Sequence, residues 1–79
     1  MGRLSTRPTK NSAMKSGLSK GELQVLTLLA DGVRSRDISE LRNVAQATVG
    51  AQVHRLRIKL GAKTIAHAVA IGFRNGFLR

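Results

Sequence analysis

The sequence has no cysteine, tryptophan or tyrosine, a single proline and only four acidic residues. Without cysteine there is no disulfide and no thiolate metal site, which fits a reducing compartment. The aromatics are Phe73 and Phe77, both near the C-terminus. Modules for single strands and RNA usually stack bases on aromatic side chains, so this shortage points away from them. No apolar run approaches the roughly 18 residues of a membrane span. The basic N-terminus lacks the apolar stretch of a secretory signal. Four acids supply no general acid–base set for catalysis. His54 and His67 stand 13 residues apart with no carboxylate cluster beside them, so no metal site is expected. These absences exclude an enzyme, a cofactor, a metal and a small-molecule ligand from the expectation.

Positive charge is what the chain has in excess. Fourteen Lys and Arg against four acids give a net charge of +10 over 79 residues. A partner with phosphates is the natural complement, and double-stranded DNA comes first. An anionic membrane surface or an acidic protein follows. The expected location is the cytoplasm, on the nucleoid.

Two regions follow from composition. Residues 1–17 are polar, carry four cations and no acid, and show no periodicity. This segment reads as a disordered basic arm. Residues 18–79 read as one small all-α domain.

Its first helix is expected from about Lys20 to Asp31. Ser19 and Glu22 form a capping-box pattern, and Val25, Leu26 and Leu29 recur at helical spacing. Gly32 suits the left-handed position just past the end. A second, short helix is expected with Ser35 as its N-cap, Ile38 and Leu41 as its apolar face, and an end near Arg42 and Asn43. The third is ambiguous at first, because Ala45, Ala47, Val49, Ala51 and Val53 alternate as in a strand. The large apolar residues settle it. Val49, Val53, Leu56 and Leu60 fall on one helical stripe, and Gly61 follows as a stop, so the helix runs about Gln46 to Leu60. The fourth helix, about Thr64 to Asn75, is apolar on more than one side, which asks for a partner subunit.

A short turn between the second and third helices, with basic residues on the third, is a helix-turn-helix layout. At this point the chain resembles the LuxR-type DNA-binding domain. The residues that carry the resemblance are LSKGELQVLTLLADGVRSRDI (residues 18–38) and TVGAQVHRLRIKLGAKTIAHAVA (residues 48–70). The resemblance implies a four-helix module whose third helix enters the major groove. It implies phosphate contacts from Thr48 and from Ser35 and Arg36 at the start of the second helix. It also implies a homodimer through the fourth helix, around Ile65, Val69 and Ile71, in a bacterial or phage protein.

There are departures. Ala45 stands where the family has a capping hydroxyl, and Arg42 where it has a core leucine; a slight rotation would bring in Leu41 instead. Ala47 and Gly50 stand where the family is basic, Gln52 where it has histidine, and Ile65 where it has arginine. Opposite the core stripe, positions 47, 50, 51 and 54 face the groove. Only His54 among them hydrogen-bonds a base edge. The DNA-contacting set is expected to be Arg34, Ser35, Arg36, Thr48, Gly50, Ala51, Gln52, His54, Arg55 and Lys63. Gly50 leaves two readings open: a place of close backbone approach, or a module that has drifted from base readout. The function expected is a stand-alone transcription regulator binding duplex DNA as a dimer. The alternative is a protein-interaction module for transcription machinery with only nonspecific DNA contacts.

Overall fold

The computed structural model describes residues 17–78, which form four helices with no strand among them. These are α1 (Lys20–Ala30), α2 (Ser35–Arg42), α3 (Gln46–Leu60) and α4 (Ile65–Arg74). The all-α, four-helix class expected from the sequence is the one the chain adopts. Apart from Gly17, the expected basic arm lies outside the described residues.

The starts of the helices differ in quality. α1 has a complete capping box: the Ser19 hydroxyl accepts from the Glu22 N–H at 3.1 Å, and Glu22 Oε1 accepts from the Ser19 N–H at 2.9 Å. α4 is capped by Thr64, whose hydroxyl accepts from the His67 N–H at 3.0 Å. α2 corrects the expectation. Its N-cap is Arg34, with no side-chain cap bond, and Ser35 is the first helical residue. α3 has Ala45 as its N-cap, also without a side-chain cap bond, as the missing hydroxyl implied.

The ends are uniform. Gly32, Asn43, Gly61 and Gly76 all have positive φ. At each, the next residue's N–H reaches back to the carbonyl five positions earlier: Val33 to Leu28, Val44 to Ser39, Ala62 to Arg57 and Phe77 to Gly72, at 2.8–3.0 Å. This is the Schellman closure, which satisfies orphan carbonyls and needs a residue that tolerates the left-handed region. Asparagine tolerates it, so α2 stops without a glycine.

Leu18, Val25, Leu26, Ile38, Val49, Leu56, Ala68 and Leu78 form the core. Leu26, Ile38 and Leu56 are fully buried. Each contributes roughly 1.5–3 kcal/mol, against about 1 kcal/mol for a missing cap. The core therefore sets the position of α3 despite its weak start. Val49 and Leu56 lie on its buried stripe, with Val53 and Leu60 packed at the edge.

Leu41 does not join this core. It is 68% exposed, and Arg42 is the half-buried residue instead. No rotation of α2 brings the leucine in, because Ile38 is already fully buried and fixes the facing side. Arg42 is held by Gln52 of α3, its Nη1 donating to Oε1 at 2.8 Å. Gly21 of α1 completes this junction, since a methyl there would lie 2.6 Å from Gln52 Nε2. The far end of α4 has a similar feature. A methyl at Gly72 would come within 2.7 Å of Leu78 Cδ1 and 3.2 Å of Leu26 Cδ2. The chain turns after Gly76 and folds Leu78 back into the core, which hydropathy periodicity alone did not indicate.

Candidate nucleic-acid interface

α2 and α3 are joined by the three residues Asn43–Ala45, and α3 packs against α1, α2 and α4. One side of α3 is thus held by the rest of the domain and the other faces outward. The two sides differ in chemistry.

The held side is organised by Glu22. This carboxylate is buried, yet it receives Lys59 Nζ at 2.8 Å and Arg55 Nε at 3.1 Å, besides its capping bond to the Ser19 N–H. Burial alone would raise its pKa. The hydrogen bonds from Lys59, the Ser19 backbone and Arg55, with the Lys59 charge, outweigh that and lower it from 4.5 to about 2. Glu22 was legible in the sequence as a cap. Its second role, tying α1 to two cations of α3, depends on packing across more than 30 residues of chain and had no local signal.

Four polar side chains on the flanks of α3 have partners inside the protein. Arg55 and Lys59 pair with Glu22. Gln52 is half-buried and accepts from Arg42. Arg57 donates from Nη2 to the Lys63 carbonyl at 2.7 Å. Gln52 thus points toward α2, while Arg55, 54% exposed, keeps part of its guanidinium at the surface.

The outward side carries Ala47, Gly50, Ala51 and His54, all exposed. Thr48 is exposed in the first turn, and its hydroxyl makes no hydrogen bond among the described residues. Ile58, 65% exposed, continues the face four residues beyond His54. The sequence reading missed it, although the spacing 47, 51, 54 and 58 is the same stripe arithmetic that located the core. A methyl built on Gly50 touches nothing, and its φ is not in the left-handed region. Nothing within the described residues requires glycine there.

At the start of α2, Arg34 and Arg36 are exposed, with Arg34 Nε 3.7 Å from Asp37 Oδ2. Ser35 is half-buried next to them. Lys63 is exposed after α3, its N–H donating to His67 Nδ1 at 3.1 Å.

On α4, Ile65 is 40% exposed and Phe73 46%. Val69 lies half-buried between them at four-residue spacing. Ile71 is also half-buried, but it stands two residues from Val69, and residues two apart on a helix do not share a face. The fold therefore groups Ile65 with Val69 and leaves Ile71 on another flank.

A four-helix core with a short turn before an outward-facing third helix, and exposed arginines at the start of the second, defines a helix-turn-helix DNA-binding domain. The family model for bacterial regulatory proteins of the luxR family matches residues 16–71. The chain belongs to that family. It is 39% identical over 61 residues to the transcriptional regulatory protein YxjL of Bacillus subtilis, covering 77% of this chain and 28% of that protein. It is 33% identical over 73 residues to the virulence-factors transcription regulator BvgA of Bordetella pertussis, covering 92% of this chain and 35% of that protein. The chain thus spans about a third of the length of these curated relatives. No solved structure gives a significant match. Among the described residues no helix is long and apolar enough to cross a membrane.

Proposed function

We propose that this domain regulates transcription by placing α3 in the major groove of duplex DNA, as a dimer paired through α4. The observation that carries the reading is the unpartnered outward face of α3, a helix otherwise held on its remaining sides. The major groove of B-DNA admits one helix, and its width matches such a face. Arg34, Ser35 and Arg36 at the start of α2, Thr48 in the first turn of α3, and Lys63 beyond its end then serve the phosphates on either side. These contacts give affinity and position, while Gly50, Ala51 and His54 meet base edges. Arg55 reaches phosphate with the part of its guanidinium that Glu22 leaves free, and Gln52 acts on DNA only through the placement of α3. Ile65 and Val69 supply the self-complementary patch of a two-fold pair, and Ile71, on another flank, takes part only if the partner helix wraps around α4. Two-fold symmetry calls for an operator of two half-sites.

Selection of sites from a random duplex pool, at about 0.15 M salt with excess nonspecific competitor, tests this directly. A symmetric enriched motif is expected, with sedimentation showing a dimer on the DNA. Binding that competitor abolishes, with no enriched motif, would sink sequence-specific regulation.

A second reading has one observation in its favour. Leu41 is an exposed leucine on α2, away from the core, and an apolar surface residue of that kind suits a protein partner such as transcription machinery. Leu41→Ser would then reduce transcriptional output while leaving DNA affinity unchanged.

A further inference from the structure

The outward face of α3 is short of the donors that usually read bases. Ala47, Ala51, His54 and Ile58 recur at i, i+4, i+7 and i+11, one stripe on a helix. All four are exposed, opposite the fully buried Val49 and Leu56. Guanine is most often recognised by arginine or lysine and adenine by asparagine or glutamine, each through paired hydrogen bonds. The polar side chains of α3 that would supply such pairs are engaged elsewhere: Arg55 and Lys59 on Glu22, Gln52 on Arg42, Arg57 on the Lys63 carbonyl. What the stripe presents instead is aliphatic carbon and one imidazole. Gly50 beside it removes a side chain for which the fold has no need, and so lets the backbone come closer to whatever the stripe faces.

Among the features of the major groove, the thymine C5-methyl is the one that aliphatic side chains recognise. We propose that α3 reads its site chiefly through thymine methyls, packed against Ala47, Ala51 and Ile58, with His54 as the single hydrogen-bonding reader of an adjacent base. The proposal rests on the placement of α3 in the major groove argued above, and it adds the base chemistry that this surface selects. Arg34 and Arg36 at the start of α2 hold phosphates and supply affinity that is the same for any sequence, while the methyls add the part of the affinity that distinguishes one site from another.

The test uses the full chain and the duplex enriched by site selection. Deoxyuridine replaces thymidine, first within the half-sites and then, in a separate duplex, only in the flanks. This removes the methyl and keeps every hydrogen-bonding group of the base. Substitution in the half-sites is expected to weaken binding about four-fold for each contacted methyl, and substitution in the flanks to leave it unchanged. Enrichment of a motif that binds equally well with deoxyuridine would overturn methyl readout and leave the DNA-binding function standing. An equal loss from flank substitution would trace the effect to duplex stiffness and would also overturn it. Failure to enrich any motif would remove both readings together. His54→Ala supplies an independent check: it should relax preference at one position per half-site and leave the thymidine-to-deoxyuridine ratio intact.

Discussion

The two sides of α3 are built from the same helix and oppose each other in almost every respect. Toward α1 and α2, its polar side chains are paired: Arg55 and Lys59 with Glu22, Gln52 with Arg42. Toward the outside it carries Ala47, Gly50, Ala51, His54 and Ile58, exposed and almost without hydrogen-bonding capacity. A count of cations along the helix therefore overstates what it offers a phosphate backbone. Arg55 and Lys59 share one buried carboxylate, so part of their charge is taken up inside the protein. Net charge describes the long-range field of a protein, while packing decides which charges remain available at contact.

The largest expected effect tests the paired side. Glu22→Ala removes the capping carboxylate and the partner of two cations, and should destabilise the domain by on the order of 3 kcal/mol at neutral pH, measured by urea unfolding. The same carboxylate predicts a pH dependence. Its folded pKa of about 2 lies below the ordinary 4.5, so its contribution is present above pH 4.5 and fades as pH falls toward 2. Glu22→Gln should flatten that acid limb of the stability curve; an unchanged limb would show that another group produces it.

Glycines inside the helices sharpen the comparison in opposite directions. Gly72→Ala places a methyl against Leu78 and Leu26, and overpacking should outweigh the helix-propensity gain for a net cost of about 1 kcal/mol. Gly50→Ala adds a methyl in open space, and should stabilise the free domain by about 1 kcal/mol. If α3 approaches DNA closely, that more stable variant should bind its site less well, a split that unfolding and binding titrations reveal together. The smallest effect is at the start of the same helix. Ala45→Ser restores a capping hydroxyl and should stabilise by less than about 1 kcal/mol, read from the unfolding midpoint.

Much of this fold was readable along the chain because its signals are local. The capping box at Ser19 and Glu22, the stripe from Val49 to Leu60, and the stops at Gly32, Asn43 and Gly61 each depend on neighbours within a few turns. What was misread depends on contacts between helices. Leu41 fits the apolar spacing of α2, yet the orientation of that helix is decided by Ile38 and by the Arg42–Gln52 bond, so the leucine faces outward. Gln52, expected to contact DNA because it stands where the family has histidine, accepts a hydrogen bond from Arg42 of α2, a contact across helices that carries no local signal. Leu78 lies beyond any helical pattern and reaches the core only because the chain turns at Gly76.

The junction of Gly21, Arg42 and Gln52 carries a consequence for how such a domain can change over generations. Three helices meet there through one hydrogen bond and one missing methyl. Leucine at position 42 alone would strand the Gln52 amide, and a larger residue at position 21 alone would push it aside. The three positions are thus coupled through one amide, so that a change at any of them is felt at the other two. A protein that keeps arginine at 42 should also keep glutamine at 52 and the smallest residue at 21.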